Sequence, residues 1–552
     1  MVPCLIFEDE DLLVVNKPAG LNTHSPSPYA GEGIYDWLRH REPRWAKLAI
    51  IQRLDKETSG VLLFAKTNLA CRSLTDQFAS RTVRKKYLLL TDRKPPNEHL
   101  VVKSVLVRAG ERYLSRPPRK DGQIAETIFR AAIGSGQWSV VSGQWSHLEA
   151  EPLTGRTHQI RVHAADKGFP ILGDALYGGT SAPRLCLHAA ELRIQHPRTG
   201  EEMTFQTPAD FDADTRSELR TALIDLQETN AFRLVHGASD HRPGLYVDRF
   251  GDYLLVETRA GVTPTPLAGA DPERGRRDAC PIVEQLALIE HLQHRLDARG
   301  VYYRQLGRQA RGGPVAPAIP KLLSGEVAPD RSTVRENGLR FELSLAEGAS
   351  FGLFLDQRDN RRRLLARHIA TDFPLDPRPS TLLNAFSYTC GFSVCAAKAG
   401  FHTTSLDLSR KYLEWGKRNF GLNGLDADKH DFIFGDVFDW FRRLAKKGRT
   451  FDVIMLDPPT FSQSKVSGVF RAQKDFGKLV SAALTLLAKP GILFSSSNAA
   501  DWPPEDFVEV VKGAVGASGR KITQGHYVPQ PPDFPISKEE PGYLKTMWLR
   551  IE

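Results

Sequence analysis

Cysteine is scarce in this chain of 552 residues: six occur, at positions 4, 71, 186, 280, 390 and 395, none in a CxxC or Cys/His spacing. A disulfide framework and a zinc module are thereby excluded as organising devices, and no metal ligand is expected. Long apolar runs are also missing. The opening MVPCLIFEDEDLLVV has no basic segment leading into an apolar core, and no run reaches the roughly 20 residues a membrane span requires. A cytoplasmic protein without membrane contact is expected. No internal repeat is visible, and a chain of this length exceeds what one hydrophobic core serves, so several unlike domains are expected.

Acidic residues are few where basic ones crowd. Residues 81–122 hold twelve Lys or Arg against four Asp or Glu, within a formal net charge of +9 for the chain. Such a stretch suits a surface that grips phosphates, although a solvated basic face has the same composition.

What is present divides into blocks of different grammar. Up to residue 211 the chain is strand-rich and broken by Gly and Pro, with LLVVNKPAG, GVLLFAK, KKYLLL, LVVKSVLV, QIRVHAA and LRIQHP read as strands or strand ends, and SLTDQFASRT as a helix. This is an α+β pattern of mainly antiparallel sheet. Residues 212–228 read as a polar amphipathic joint, and residues up to 332 as a small α/β domain in which TPTPLAGADPERGRRDA is a mobile loop. A hairpin is expected at VRENGLRFEL, where Asn337-Gly338 suits a primed two-residue turn. From 333 to 552, TLLNAF, FSVCAAKAG, TTSLDL, RKYLEWGKRNFGLNG, DFIFGD, WFRRLAKK and FDVIMLDPP alternate strand and helix, which predicts an α/β doubly wound, Rossmann-like domain with its ligand at the carboxyl ends of the strands. The expected division is therefore 1–211, 212–332 and 333–552.

In the first block, IIQRLDKETSGVLLFAK at 50–66 places Arg53 and Asp55 on one face of an extended segment, with Leu54 on the other. A solvated ion pair and a charged cleft both fit that pattern. The wider set NKPAGL (16–21), RLDKETSGVLLFAKT (53–67), RKKYLLL (84–90) and LTGRTHQIRVHAADKGFPILGDALYG (153–178), continuing to residue 211, resembles the RluA-type pseudouridine synthase family. The resemblance implies that Asp55 attacks the target uridine, that Tyr87 packs on the flipped base and assists proton removal from its carbon-5, that Arg161 pairs with Asp55, and that Arg53 fills the space the base vacates. An aspartate beside an arginine is a carboxylate at neutral pH, so no separate base and no cofactor are needed for this half. The base must leave its stack, because the ring turns before carbon-5 joins the sugar. One departure is visible: the family usually has histidine where Gln52 stands.

In the last block a glycine-rich fingerprint is absent. Gly391 alone stands in the loop after TLLNAF, where a nicotinamide cofactor needs G-x-G-x-x-G, whereas S-adenosylmethionine has no pyrophosphate to cradle. Asp407 ends the next strand, 23 residues after Asn384, where an acid accepts both ribose hydroxyls of an adenosine ligand. FGLFLDQRDNRRR (351–363), LLNAFSYTCGFSV, LDLSRKYLEWGKRNFGLNGL and LDPPTFSQSK (456–465) resemble class I ribosomal RNA methyltransferases of the RlmI and RlmK types, the last three most like the 7-methylguanosine-forming half of RlmKL, and NAFRLVHG and PGLYVDRFGD resemble the small domain of RlmI-type enzymes. By that resemblance Asp356 lies in a segment covering the cofactor, Asn384, Ser387 and Gly391 line its loop, Asp407 holds the ribose, Asp436 the adenine amino group, and Asp457, Pro458 and Pro459 the methyl-transfer end, while Phe461 stacks on the target base.

A further absence bears on which atom is methylated. Cytosine carbon-5 needs a cysteine nucleophile, but the stretch matching that motif reads LFSSSN, with serine at 496. Guanine nitrogen-7 needs none. The sequence thus predicts a bifunctional enzyme acting on RNA, ribosomal or transfer, with S-adenosylmethionine as cofactor of the second half only. The rival is an RNA methyltransferase, 5-methylcytidine-forming or other, whose first half only binds RNA.

Overall fold

The computed structural model describes residues 2–119, 122–131, 146–259, 280–306, 319–346, 351–375, 380–464, 466 and 468–552. The loop expected at 263–279 lies outside them. The chain forms two compact units. Unit one comprises Met1–Pro26, Gly33–Arg39 and Lys47–Asp225; unit two comprises Leu226–Glu552 with the short segments Ser27–Glu32 and His40–Ala46.

Unit one is built on a sheet that has 11 strands among the described residues, of which only Leu187–Gln195 and Ser59–Ala65 pair in parallel. Its centre follows from two continuous apolar runs. Leu12–Lys17 and Ser59–Ala65 pair antiparallel, and Leu12, Leu13, Val14 and Val15 are all fully buried, as are Leu62, Leu63, Phe64 and Ala65. Strands covered on both faces carry no polar alternation, and these carry none. Gly60 is required where the parallel pair begins: its φ is +117°, and a Cβ there would lie 2.3 Å from the Ala189 carbonyl oxygen.

Two expectations are corrected in this unit. QIRVHAA is not a strand but the helix Gln159–Asp166. Its alternation of apolar and polar residues misled because Gln159, Arg161 and His163 are buried alongside Ile160 and Val162, so burial carries no period. The amphipathic joint shrinks to the helix Thr215–Leu223.

Unit two holds a five-stranded sheet and a seven-stranded sheet. The latter runs Asp431–Phe434, His402–Asp407, Thr381–Ala385, Phe451–Leu456, Leu487–Ser497, Lys545–Ile551, Ile522–Val528, parallel except at Lys545–Ile551. The order reverses beside Thr381–Ala385, and there a doubly wound sheet opens its ligand crevice. One continuous core serves both sheets, joining Ala231, Phe250 and Tyr302 to Leu382, Val453 and Trp548. The hairpin Ser332–Glu336 with Leu339–Leu343 turns at Asn337 and Gly338, both at positive φ as a primed turn demands.

Candidate active sites

Asp55 sits in a loop between the strands Ala49–Ile50 and Ser59–Ala65, and the loop is bolted down from two directions. Thr23 Oγ1 accepts from the Leu54 amide at 3.1 Å and donates to the Leu54 carbonyl at 2.8 Å. The buried Lys17 ammonium donates to the carbonyls of Pro18, Leu21 and Lys56 at 2.8, 2.7 and 3.1 Å. Burial pushes Lys17 down to about 7, against the pull of Glu57, Glu218 and Asp55. The backbone on either side of Asp55 is thus fixed before any substrate arrives.

Arg161 reaches Asp55 from the helix Gln159–Asp166, with Nη1 3.5 Å from Oδ2. That contact is the weaker of two. Its Nε and Nη2 form a fork on Asp174 at 2.7 and 2.8 Å, and Asp174 is only 1% exposed. Bidentate pairing fixes the guanidinium plane, so Asp174 orients the group that Asp55 meets. The expected Arg161–Asp55 pair is present, and Asp174, which the sequence did not single out, is the stronger partner of Arg161.

His158, which sequence reasoning passed over, is the other neighbour. It precedes the helix in a left-handed conformation, φ 56° and ψ 17°, and its Nε2 lies 3.8 Å from Asp55 Oδ2. Its Nδ1 is 2.8 Å from the Tyr177 hydroxyl, which also accepts the Tyr113 amide at 2.9 Å. Burial lowers the His158 pKa, outweighing the Asp55 charge, and favours a neutral ring. With Tyr177 donating to Nδ1, the proton rests on Nε2 and faces the carboxylate. The Arg161 guanidinium also lies over the Tyr177 ring, 5.1 Å from its centroid.

Tyr87 stands on Arg84–Thr91, opposite Ala189 and Ala150. Burial first, then the Asp55 charge, raises its pKa well above that of a free phenol. At neutral pH it is a hydroxyl, not a phenolate. Arg53 is exposed. Gln52 donates to the Val61 carbonyl at 3.5 Å, a backbone contact that leaves Asp55 untouched.

The second site is a pocket of about 650 Å³ at the crevice of the seven-stranded sheet. Asp356, Ser387, Gly391, Asp407, Asp436, Asp457, Pro458 and Pro459 all line it. Its floor loop is strained in place of being glycine-rich: Phe386, Tyr388 and Cys390 have φ of 61°, 49° and 63°. Non-glycine residues pay steric strain there, of order 1–3 kcal/mol each, and the turn so produced ties the Ser387 amide to the Leu406 carbonyl at 3.0 Å and the Tyr388 amide to Asp407. Asp407 accepts the Tyr388 and Ser409 amides at 2.8 Å on separate oxygens. Burial raises its pKa while these amides lower it. Asp436 caps the helix Val437–Lys446 through the Asp439 amide.

Asp457 is pushed up to about 6 by burial, with Asp356 adding repulsion, and hydrogen bonds from Ser496 and Gln357 oppose the rise. Gln357 Nε2 is 3.3 Å from Asp457 Oδ1 and 2.8 Å from Ser496 Oγ, and Asn360 holds the Gln357 carbonyl at 2.8 Å. Asp356 accepts the Tyr543 hydroxyl at 3.0 Å. Gln357 and Ser496 as positioning partners were invisible in sequence, being 139 residues apart.

Two expected residues are not part of the pocket wall. Asn384 is buried behind it, donating to Ser393 Oγ at 2.9 Å. Phe461 has the Arg471 guanidinium 5.6 Å from its ring centroid, and Phe386, Phe438 and Phe470 supply the aromatic lining instead. Cys390 and Cys395 are buried, and burial pushes the Cys390 thiol up to about 12 and that of Cys395 higher still, so neither is a thiolate nucleophile. The residues fit S-adenosylmethionine. Carboxylates surround a cationic ligand, aromatic rings offer an adenine surface, and Asp407 stands where a ribose diol binds.

Fold and sites define the class: an enzyme joining a pseudouridine synthase domain to an S-adenosylmethionine-dependent methyltransferase domain. The family model for RNA pseudouridylate synthase matches residues 11–166, and that for S-adenosylmethionine-dependent methyltransferase matches 298–550. The chain is 32% identical over 368 residues to a ribosomal RNA large subunit methyltransferase of Deinococcus radiodurans, covering 65% of this chain and 83% of that protein. It is 32% identical to ribosomal RNA large subunit methyltransferase I of Cronobacter sakazakii, covering 57% and 73%. Ribosomal large subunit pseudouridine synthase C of Yersinia pestis is 36% identical over 244 residues, covering 41% and 70%. The chain belongs to the ribosomal RNA large-subunit methyltransferase family of the RlmI type, with an RluA-type pseudouridine synthase fused to it.

Proposed function

We propose that this enzyme isomerises a uridine and methylates guanine nitrogen-7, both in large-subunit ribosomal RNA, in a chain of three parts, 1–211, 212–332 and 333–552. The observation that carries the choice of atom is Ser496: fully buried, it is hydrogen-bonded to Gln357 and Asp457 where a 5-methylcytidine enzyme needs a free thiolate. A hydroxyl so engaged cannot add to a pyrimidine ring. Guanine nitrogen-7 presents a lone pair and no proton, and alignment alone suffices.

In the synthase half Asp55, its carboxylate held by Arg161 and His158, attacks the everted nucleotide and is displaced again when carbon-5 joins the sugar. The bond from nitrogen-1 to the sugar breaks, the bond from carbon-5 to the sugar forms, a proton leaves carbon-5 and one is gained at nitrogen-1. The balance is an isomerisation, and Tyr87 as a neutral hydroxyl relays the carbon-5 proton. Arg53, exposed on the Asp55 loop, occupies the vacated stack. In the methyltransferase half, S-adenosylmethionine supplies a methyl group on a cationic sulfur when bound. Asp407 holds the ribose, Asp436 the adenine amino group, and Asp356 and Asp457 balance positive charge, while Ser387 and Gly391 shape the loop. Pro458 and Pro459 offer carbonyls and a flat wall to the target base beside Phe470.

The test is nucleoside mass spectrometry of ribosomal and transfer RNA from cells with and without the gene. Pseudouridine and 7-methylguanosine lost together from large-subunit RNA is the expected result; loss of 5-methylcytidine instead overturns the choice of atom.

A further inference from the structure

Unit two carries a second recess, of about 560 Å³, outside the methyl-donor pocket. Its walls include Arg249, Arg299, Arg335 and Asn230, with Asp252 as the acidic member. Arg299 is committed to Glu326, with contacts of 2.9 and 2.6 Å. The other two are not neutralised in this way. Arg249 Nε donates to the Gly251 carbonyl at 2.8 Å and Arg335 Nη2 to the Leu226 carbonyl at 3.3 Å; among the described residues neither guanidinium has a carboxylate within salt-bridge distance.

The recess is a rigid frame. Asn230 accepts the Arg335 amide on its side chain at 2.7 Å, donates its own amide to the Arg335 carbonyl at 3.0 Å, and accepts the Gly251 amide at 2.9 Å. One asparagine thus ties the ends of both arginine-bearing strands together. The consequence is electrostatic. Burial lowers the Arg249 pKa, the Asp252 carboxylate opposes the fall, and the neighbouring Arg335 charge adds a smaller push downward. Two guanidinium groups share one polar recess, one half-buried and one exposed, and among the described residues neither is salt-bridged to a carboxylate. An anion accepting from both would engage the donors their backbone contacts leave over, and a guanidinium fork matches phosphate oxygens.

We propose that Arg249 and Arg335 bind a phosphodiester of the substrate RNA. This rests on the reading of the chain as an RNA-modifying enzyme. The exposed Arg335 and Thr333 at the rim leave the recess open to a passing strand, and its volume exceeds that of a lone phosphate.

The test measures the dissociation constant of the full chain for protein-free large-subunit ribosomal RNA as a function of salt. Arg249→Gln with Arg335→Gln should weaken binding about tenfold at low salt and reduce the slope of log affinity against log salt by about 1 to 2. Arg249→Lys with Arg335→Lys should keep most of the slope. S-adenosylhomocysteine binding, unchanged in both, shows that the variants fold. An unchanged RNA affinity and slope in the Gln pair overturns the proposal, as does thermal stabilisation of the wild type by inorganic pyrophosphate that the Gln pair abolishes without any change in RNA binding. If RNA is still modified while the Gln pair binds like wild type, only this inference fails; if wild type neither binds nor modifies RNA, the functional reading fails with it.

Discussion

Arg161 and His158 both face Asp55, and each has a different consequence when changed. Arg161 neutralises Asp174 in the interior, so Arg161→Ala leaves a buried carboxylate unpaired at a cost of about 3–5 kcal/mol and confounds chemistry with unfolding. His158 is the cleaner probe. His158→Asn removes the contact with Asp55 while keeping a residue type that tolerates the left-handed backbone. Pseudouridine formation should fall about 10- to 100-fold, with methylation of the same RNA unchanged, as expected of a misplaced reacting group. Equal loss of both activities would show a folding defect instead. In the second site, Asp457 titrates near 6, so it is ionised at neutral pH and protonated below that. A raised carboxylate pKa means the charge opposing a cationic ligand disappears as pH falls through 6. The apparent affinity for S-adenosylmethionine should therefore drop between pH 7 and 5, and Asp457→Asn should be weak and flat over that range in isothermal titration. The candidate residues Asp55, Tyr87 and Arg161 could be picked out because each lies in a dense local motif. His158 could not, nor could the bond of Ser496 to Gln357, since what defines them is a partner far along the chain.

Among elements, the first four parallel strands of the seven-stranded sheet were readable, because their apolar runs alternate with amphipathic helices, whereas Leu487–Ser497, Ile522–Val528 and Lys545–Ile551 were not read. The helix Gln159–Asp166 was not. Buried on every face, it shows none of the periodicity that marks a surface helix, and Arg161 and His163 are interior only because specific partners await them. His163 lies between Ser104 and Thr127 at 2.9 Å from each, and burial pushes it down to about 4; His188, bonded to Ser59 and Thr207, is likewise pushed to about 4. Both are neutral in the fold and protonate in the unfolded chain below about 6.5. The unfolded state therefore binds more protons between pH 6.5 and 4, and stability falls as pH falls through that window. The melting temperature of the synthase unit should decline across it, and His163→Gln should flatten the decline by one proton; an unaltered slope would contradict the burial argument. At the start of the central strand, Gly60→Ala meets the Ala189 carbonyl and an unfavourable φ, and should destabilise the unit by roughly 3 kcal/mol in denaturant titration.

For the whole molecule, the division into unlike blocks followed from the change in sequence pattern, whereas the shared core of the two sheets in unit two did not, because packing between distant segments leaves no local mark. Two chemistries on one chain raise the local concentration of the second site once the first is engaged. An RNA fragment bearing both target nucleotides should accordingly saturate methylation at lower concentration than one with the guanine target alone, and equal saturation would argue against a common substrate. The claim on which the rest depends is that the first unit is a working synthase and not an RNA clamp. The direct measurement is nucleoside mass spectrometry of unmodified large-subunit ribosomal RNA treated with S-adenosylmethionine and either wild-type or Asp55→Ala protein. The account predicts that wild type makes both pseudouridine and a methylated base and that the variant makes only the methylated base. Pseudouridine at wild-type level from Asp55→Ala, or none from wild type, would contradict it.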